Sequence, residues 1–247
     1  MESFAQIQQK NSALPTEYNP NSENIAEQID AKIAHQKYME NTVSVGEGEE
    51  NDSVMPDGFR ERRDLEQYFF TKNLISTLIN SLTMRYADQE ELEAKVCLVC
   101  APSLSKAFLD QLGYNVVVCD IDTRFNDLPG YAHFDLQEPD KCTDPRVLNN
   151  QFELIIFDPP FFYITLDQMS KAIDFISKHS SNHAAMTIGM SFMTRDEADV
   201  KKSFKQFKLE KTNLALEYAT VKANRWDNYG WYSNTDLPMI KRMKKKK

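Results

Sequence analysis

Glycine is scarce in this chain, with seven among 247 residues, and none of them forms a G-x-G-x-x-G fingerprint. Loops that wrap a dinucleotide or a nucleoside triphosphate use such glycines to bring backbone N–H groups close to the phosphates. Long apolar runs are also missing, since none approaches the roughly 18 residues that a membrane helix requires. The N-terminal residues lack the basic and apolar regions of a secretory signal. These absences disfavour a phosphate-rich nucleotide ligand and predict a cytoplasmic protein without a membrane span.

Metal-ligand clusters are missing as well. Only four cysteines occur, at positions 97, 100, 119 and 142, and the four histidines are scattered. Cys97 and Cys100 have the C-x-x-C spacing of half a zinc site, but they fall in an apolar run typical of a strand, where residues three apart point to opposite faces. No second pair follows. We therefore interpret both as core cysteines in a reducing compartment, and expect no metal and no disulfide framework.

Negative charge is concentrated at the start of the chain. Residues 1–59 contain eleven acidic and three basic residues, a net charge of −8 that equals the charge of the whole chain. Ile25, Ile29 and Ile33 recur at helical spacing and predict one amphipathic helix over residues 23–39, followed by a flexible linker over 41–58. We predict three parts: an acidic, partly disordered appendage (1–59), a main domain (60–240) and a basic tail (241–247).

Helix and strand patterns alternate after Leu65. An apolar stripe predicts helical structure, with Thr71 available as the cap of a second helix; it comprises Leu65, Phe69, Leu74, Ile75, Leu78, Ile79 and Leu82. Further helices are predicted over 105–112, closed by Gly113, and over 166–179 and 195–207. Strands are predicted over 96–101, 115–119, 132–134, 152–157 and 184–190, and a closing hairpin over 214–221 and 230–233. This alternation is typical of an α/β fold, a Rossmann-like sheet with helices on both faces.

In such sheets ligands bind beyond the carboxyl ends of the strands. The loop Ala101, Pro102 and Ser103 follows the first strand, and Asp120 ends the second. A carboxylate there can accept hydrogen bonds from both hydroxyls of a ribose, so Asp120 is our candidate, with Asp122 next and a turn or cap role as the alternative for either. Asp135, after the third strand, either meets the adenine of a cofactor or only terminates its strand.

Asp158-Pro159-Pro160-Phe161 follows directly on the apolar run 152–157. Asp-Pro is also an ordinary turn, so the tetrapeptide carries weight through its position at the end of a buried strand. Asp158 and the Pro159 carbonyl can each accept a hydrogen bond from an amino group, which aims its lone pair at an electrophile. Pro160 stiffens the loop, and the Phe161 ring covers the flat or apolar part of the acceptor. These four residues are the predicted catalytic residues.

Four segments together resemble one group of methyltransferases. They are LEQYFF at 65–70, VCAPSL at 99–104, DIDTRF at 120–125 and DPPF at 158–161. Their order and spacing are similar to those of the DPP(Y/F)-type S-adenosylmethionine-dependent methyltransferases. That family contains the elongation factor 1A lysine methyltransferases and the CCHC zinc-finger ribosomal RNA N6-adenine methyltransferases. The resemblance covers about residues 64–235 and implies a seven-stranded methyltransferase sheet with S-adenosylmethionine as cofactor, which needs no phosphate-binding glycines.

The acceptor is the point on which the two branches differ. The acidic N-terminal part, the lack of zinc ligands and the segment 226–234 look more like the lysine branch, whereas Phe161 and DIDTRF are similar to the RNA branch. The near-neutral main domain lacks the basic face expected of an RNA-binding enzyme. We therefore expect a protein lysine as acceptor, in a partner resembling a translation factor. The alternatives are N6-adenine methylation of RNA or DNA and an inactive methyltransferase-like subunit, with a nucleotide-binding module the weakest.

Overall fold

The computed structural model describes residues 59–86, 95–112, 115–149, 151–179 and 186–243, together with Ile33. The predicted helix over 23–39, except Ile33, and the predicted linker therefore lie outside the described residues. So do Gly113 and the last four lysines of the basic tail. The division into appendage, main domain and tail stays a prediction. None of the described helices is long and apolar enough to cross a membrane.

The described chain forms one seven-stranded sheet. Its strands are β1 (Lys95–Val99), β2 (Asn115–Asp120), β3 (Tyr131–His133), β4 (Leu154–Phe157), β5 (Thr187–Met193), β6 (Glu210–Lys211) and β7 (Tyr229–Ser233). Their spatial order is β3-β2-β1-β4-β5-β7-β6. Strands β1 to β5 pair in parallel, and β7 runs antiparallel to both β5 and β6. The predicted Rossmann-like α/β sheet is thus confirmed.

Between residues 59 and 243, the described ranges contain five α-helices: α1 (Lys72–Tyr86), α2 (Ser105–Leu112), α3 (Pro145–Leu148), α4 (Leu166–Lys178) and α5 (Glu197–Ser203). Helix α1 lies against α2, and α4 lies against α5. The chain moves from β1 to β2 in one direction across the sheet and from β4 to β5 in the other. Right-handed crossovers therefore place α2 and α4 on opposite faces. Strands covered on both faces are apolar throughout, as in β4, whose four residues are all buried.

Helix α1 begins where the sequence predicts, because the Leu74 N–H donates to Thr71 Oγ1 at 3.2 Å and caps its first turn. The predicted stripe is wrong at its first two positions, Leu65 and Phe69. Arg63–Leu65 is a short 3₁₀ helix, and Glu66 then adopts a left-handed φ of 55° that ends it. The Phe69 N–H donates to the Glu61 carboxylate at 2.7 Å, outside any helix.

The predicted closing hairpin is wrong in its first strand. Residues 214–221 form no strand, and an isolated bridge pairs Tyr218 with Phe70. The alternating burial of Leu216 and Tyr218 resembles a strand because the segment packs on the core while Glu217 bonds Thr71 at the start of α1. The edge strand that pairs with β7 is the two-residue β6, and β7 lies inside the sheet between β5 and β6.

Two other elements end three or more residues away from their predicted ends. The helix expected over 195–207 is only α5, preceded by a 3₁₀ turn over Thr194–Asp196 and ended by turns through Lys208, whose φ is 55°. Strand β5 continues three residues past its predicted end at Met190, as far as Met193. The extension places Ser191 at the carboxyl edge of the sheet.

Candidate active site

The loops after β1, β2 and β4 meet where the strand order reverses, as predicted. The Asp158 N–H donates to the Val99 carbonyl at 3.0 Å, and the Cys100 N–H donates to the Cys119 carbonyl at 2.9 Å. Strand β1 therefore ends between the Asp158 loop and the residues that follow β2. This convergence forms the crevice in which doubly wound sheets bind ligands.

The loop after β1 turns without a glycine. Cys100 takes a left-handed φ of 53°, a conformation that costs an ordinary residue about 1 kcal/mol or more. Ala101 follows, and Pro102 and Ser103 begin a buried 3₁₀ turn that leads into α2. The three predicted cofactor-loop residues thus lie together directly after β1, and all three are buried.

Asp120 and Asp122 have opposite environments. Asp120 ends β2, is 4% exposed and accepts the Asp122 N–H at 2.9 Å, and its burial raises its pKa to about 7. Within the described residues it has no salt-bridge partner. Asp122 Oδ2 forms a salt bridge with the Arg124 guanidinium at 2.6 Å and accepts a hydrogen bond from Gln67 Nε2 at 2.9 Å. Burial raises the pKa of Asp122, but these bonds outweigh it and the net shift is downward. Asp122 therefore has the cap role and Asp120 stays the candidate for a ligand.

Asp135 lies two residues beyond β3, in a turn. Its Oδ1 accepts the Gln137 N–H at 2.8 Å, and the side chain is half-buried. The neighbouring Phe134 N–H donates to the Asp120 carbonyl at 3.0 Å, so Asp135 is on the same edge of the sheet as Asp120. Its contact with a cofactor stays a prediction.

Asp158 is held by side chains from two distant parts of the sequence. The Tyr218 hydroxyl donates to its Oδ1 at 2.7 Å, and the Ser191 hydroxyl donates to the same oxygen. No hydrogen bond from the described residues reaches Oδ2. Burial raises the pKa of this carboxyl to about 7, although the two hydroxyl bonds act to lower it. Asp158 therefore has one fixed oxygen, one oxygen available to a ligand, and a pKa suited to exchanging a proton near neutrality.

Phe161 belongs to a closed circle of four aromatic rings, which we call the aromatic ring cluster: Tyr68, Phe161, Tyr229 and Tyr218. Successive ring centroids are 6.4, 5.5, 4.8 and 6.0 Å apart around the circle. The Tyr68 and Phe161 rings are within 11° of parallel. Since Tyr218 also bonds Asp158, the cluster builds an apolar wall beside the carboxylate. Pro159 is buried and Pro160 half-buried in the same loop.

Three residues of this edge were missed by the sequence reasoning: Glu66, Ser191 and Tyr218. Ser191 lies beyond the predicted end of its strand, and Tyr218 lies in a segment predicted as a strand. Glu66 belongs to one of the four resembling segments, but spacing gives no sign that its carboxylate reaches the loop after Phe161. Only the tertiary fold shows these contacts, because their partners are 33 to 96 residues away in sequence.

The fold and the convergence of these loops are those of the S-adenosylmethionine-dependent methyltransferases. The chain belongs to a particular family of that class, because residues 61–236 match the family described as Probable N6-adenine methyltransferase. The expected methyltransferase activity is thereby confirmed, and S-adenosylmethionine is the cofactor of the class. The family description names N6-adenine, and the match shows no lysine specificity for this chain.

Several solved structures show a low overall similarity. The magnesium protoporphyrin IX methyltransferase of Synechocystis with bound S-adenosylmethionine is 15% identical, with a TM-score of 0.42 over 83% of this chain and 97% of that chain. A methyltransferase of Leishmania major is 13% identical, with a TM-score of 0.40 over 68% and 73% of the two chains. The N-methyltransferase NodS of Bradyrhizobium japonicum is 14% identical, with a TM-score of 0.37 over 67% and 99%. No curated protein sequence matches the chain.

Proposed function

We propose that the protein transfers the methyl group of S-adenosylmethionine to an amino nitrogen held by the Asp158 loop, and that this nitrogen is the side-chain amine of a protein lysine. The proposal rests mainly on the pKa and the hydrogen bonding of the Asp158 carboxylate. Its pKa is raised to about 7 and one of its oxygens accepts no bond from the described residues. A lysine ammonium must lose a proton before it can attack, and a carboxylate of this kind can accept it.

The residues at the crevice fit an adenosine cofactor. Asp120 is buried without a cationic partner among the described residues, and such a carboxylate is stabilised by the two hydroxyl donors of a ribose. The loop Ala101 to Ser103 has the glycine-poor character of a site without phosphates, and Asp135 lies beside Asp120. These residues would hold the cofactor, which supplies a sulfonium-bound methyl group as the electrophile.

The chain's own residues orient and deprotonate the amine. Tyr218 and Ser191 fix Oδ1 of Asp158 and so fix the plane of the carboxylate, which directs Oδ2 toward the acceptor. The Pro159 carbonyl accepts a second N–H, so that the nitrogen lone pair has a defined direction. As the N–H bond breaks, the proton moves to Asp158 and is released to water afterwards. The apolar wall excludes water, and aromatic faces favour a nearby cation before it is deprotonated.

Adenine is the second candidate, and two observations favour it. The family description names N6-adenine, and the nearly parallel rings of Tyr68 and Phe161 resemble a surface on which a flat base stacks. An adenine amino group attacks without prior loss of a proton. The transfer rate with lysine should therefore fall as Asp158 becomes protonated below about pH 7, and a weaker dependence is expected with adenine.

Labelling decides between these acceptors. The protein is incubated with S-adenosylmethionine carrying a tritiated methyl group and a cell extract, and parallel samples are treated with protease or ribonuclease. We expect the label in a protein band that protease removes and ribonuclease leaves. Label removed only by ribonuclease would show that the acceptor is RNA, as expected for the adenine alternative. No label above the Asp158→Ala background would contradict methyl transfer to either class of acceptor.

The Asp158→Ala variant is expected to lose transfer while keeping the cofactor. Removing a hydrogen bond made mainly in the transition state should cost roughly 2 to 4 kcal/mol, a rate reduction of about 30-fold to 1000-fold. Calorimetry should show S-adenosylmethionine binding within a few fold of wild type. Asp120→Ala is the matched control, because it should weaken cofactor binding by roughly 1.5 to 3 kcal/mol. Equal loss of binding in both variants would remove the distinction between the two carboxylates.

A further inference from the structure

Glu66 lies between the 3₁₀ turn Arg63–Leu65 and the aromatic ring cluster, and its side chain is directed at the acceptor loop. Its Oε2 accepts the Phe162 N–H at 2.9 Å and the Tyr163 N–H at 3.4 Å. The residue is 5% exposed. A buried carboxylate therefore binds the backbone of the loop that begins with the catalytic Asp158.

The loop after Asp158 has few other hydrogen-bond acceptors for its backbone N–H groups. Pro159 and Pro160 have no N–H, so the first N–H groups after Asp158 belong to Phe161, Phe162 and Tyr163. Residues 158–165 form no helix or strand. Buried N–H groups without acceptors cost about 1 to 3 kcal/mol each, whereas hydrogen bonds to a carboxylate are stronger than neutral ones. Glu66 thus supplies acceptors that the loop itself cannot.

The left-handed φ of 55° at Glu66 is part of the same arrangement. It turns the chain so that two consecutive side chains reach different loops. Glu66 bonds the loop after β4, while Gln67 Nε2 donates to Asp122 at 2.9 Å in the loop after β2. Burial also raises the pKa of Glu66 to about 7. The left-handed backbone and the buried carboxylate of Glu66 both cost folding free energy. Such costs persist in proteins mainly where they serve a functional site.

We propose that Glu66 is a positioning residue, which fixes the acceptor loop Phe161 to Tyr163 against Asp158 without touching the substrate. The inference rests on the proposed function for its effect on catalysis. The anchoring of the loop does not depend on which amine is methylated. With Glu66 intact, the Phe161 ring stays in the aromatic ring cluster and Asp158 stays aimed at the acceptor nitrogen.

Hydrogen–deuterium exchange tests the anchor without any substrate. Glu66→Ala should speed exchange of the Phe162 and Tyr163 amides by about tenfold or more, and Glu66→Gln, which keeps one side-chain acceptor, should show a smaller increase. The matched control is Gln67→Ala, which should speed exchange in residues 121–126 and leave 161–163 unchanged. Unchanged exchange at Phe162 in both Glu66 variants, or equal effects of the Glu66 and Gln67 variants on both loops, would overturn the proposal.

Kinetics then separates positioning from general damage. The probe is the methyl-accepting fraction of cell extract, used in a dilution series with tritiated S-adenosylmethionine. For Glu66→Ala we expect a maximal rate at least tenfold lower, a higher half-saturating acceptor concentration and cofactor binding within about threefold of wild type, with partial rescue in Glu66→Gln. Wild-type rates in Glu66→Ala would refute a positioning role, as would a loss of cofactor binding equal to the loss of rate. If wild type itself transfers no methyl group, the proposed function fails while the exchange result still stands.

Discussion

Replacing Asp120 with asparagine is expected to stabilise the protein without cofactor, and more strongly at pH 8 than at pH 5. Burial raises the pKa of this carboxyl from 3.8 to about 7, a shift of about 3 units that corresponds to about 4 kcal/mol. A carboxyl with a raised folded-state pKa destabilises the fold as pH rises, because the unfolded chain loses the proton first. Stability is lost progressively from about pH 4 until the folded-state pKa is passed.

Asparagine has nearly the same shape and does not titrate. At pH 5, about one unit above the ordinary pKa of 3.8, only part of the destabilisation by the buried Asp120 has developed. At pH 8, above the folded-state pKa of about 7, the full destabilisation is present. The difference in unfolding free energy between Asp120→Asn and wild type should therefore grow by about 2 to 3 kcal/mol from pH 5 to pH 8. Urea denaturation at the two pH values measures it.

Asp122→Asn is the control, and its expected sign is opposite. Bonds from Arg124 and Gln67 lower the pKa of Asp122 below its ordinary value despite burial, so its carboxylate contributes stability that is present at neutral pH and lost as the pH falls. The variant should be less stable than wild type at pH 8. If Asp120→Asn gave a pH-independent difference, or destabilised the protein at pH 8, the assignment of Asp120 as a costly, unpaired carboxylate would be wrong.

Three further outcomes are expected. Tyr218→Phe removes a donor that lowers the pKa of Asp158, so the acidic limb of the pH–rate profile should move to higher pH, and an unmoved limb would contradict the hydrogen bond. Gly189→Ala places a Cβ 2.2 Å from Trp231 Cζ2 and should cost about 1 to 3 kcal/mol in urea unfolding, whereas an alanine at Gly230 should cost less. A chain beginning at Phe59 should fold and bind S-adenosylmethionine. If the missing acidic segment steers a basic substrate, the advantage of the full chain in methyl transfer should shrink as salt rises, and an insoluble truncated protein would place the boundary elsewhere.

The sheet was predictable because its strands are short apolar runs. A strand buried on both faces, such as β1 or β4, reads as continuous apolar sequence, and the helices between them have helical periodicity. The segment 214–221 misled the prediction for the same reason: it is apolar at alternate positions, but it packs on α1 and Phe70 instead of pairing in the sheet. Apolar residues at every second position indicate an extended chain with one buried side. They do not show whether that chain pairs with a neighbouring strand.

The site was predictable only in its local parts. Strand ends placed Asp120 and Asp158 at the crevice, because their positions follow from chain order and sheet handedness. The choice between Asp120 and Asp122 required the tertiary fold, since it depends on Gln67, 55 residues earlier in the sequence. The partners of Asp158 could not be predicted, because no rule of spacing connects a serine and a tyrosine from two later segments with one carboxylate.

The distance along the chain between Asp158 and its partners has a consequence for synthesis. Ser191 follows Asp158 by 33 residues and Tyr218 by 60, and Glu61 bonds Thr220 across 159 residues. A ribosome makes the chain from its N-terminus at about 5 to 20 residues per second. A nascent polypeptide that has passed Phe161 already contains all four motif segments, but its key carboxylate still lacks both hydroxyl donors. The two hydroxyl bonds to Asp158 can therefore form only when the segment around Tyr218 has left the ribosome and closed onto the N-terminal part.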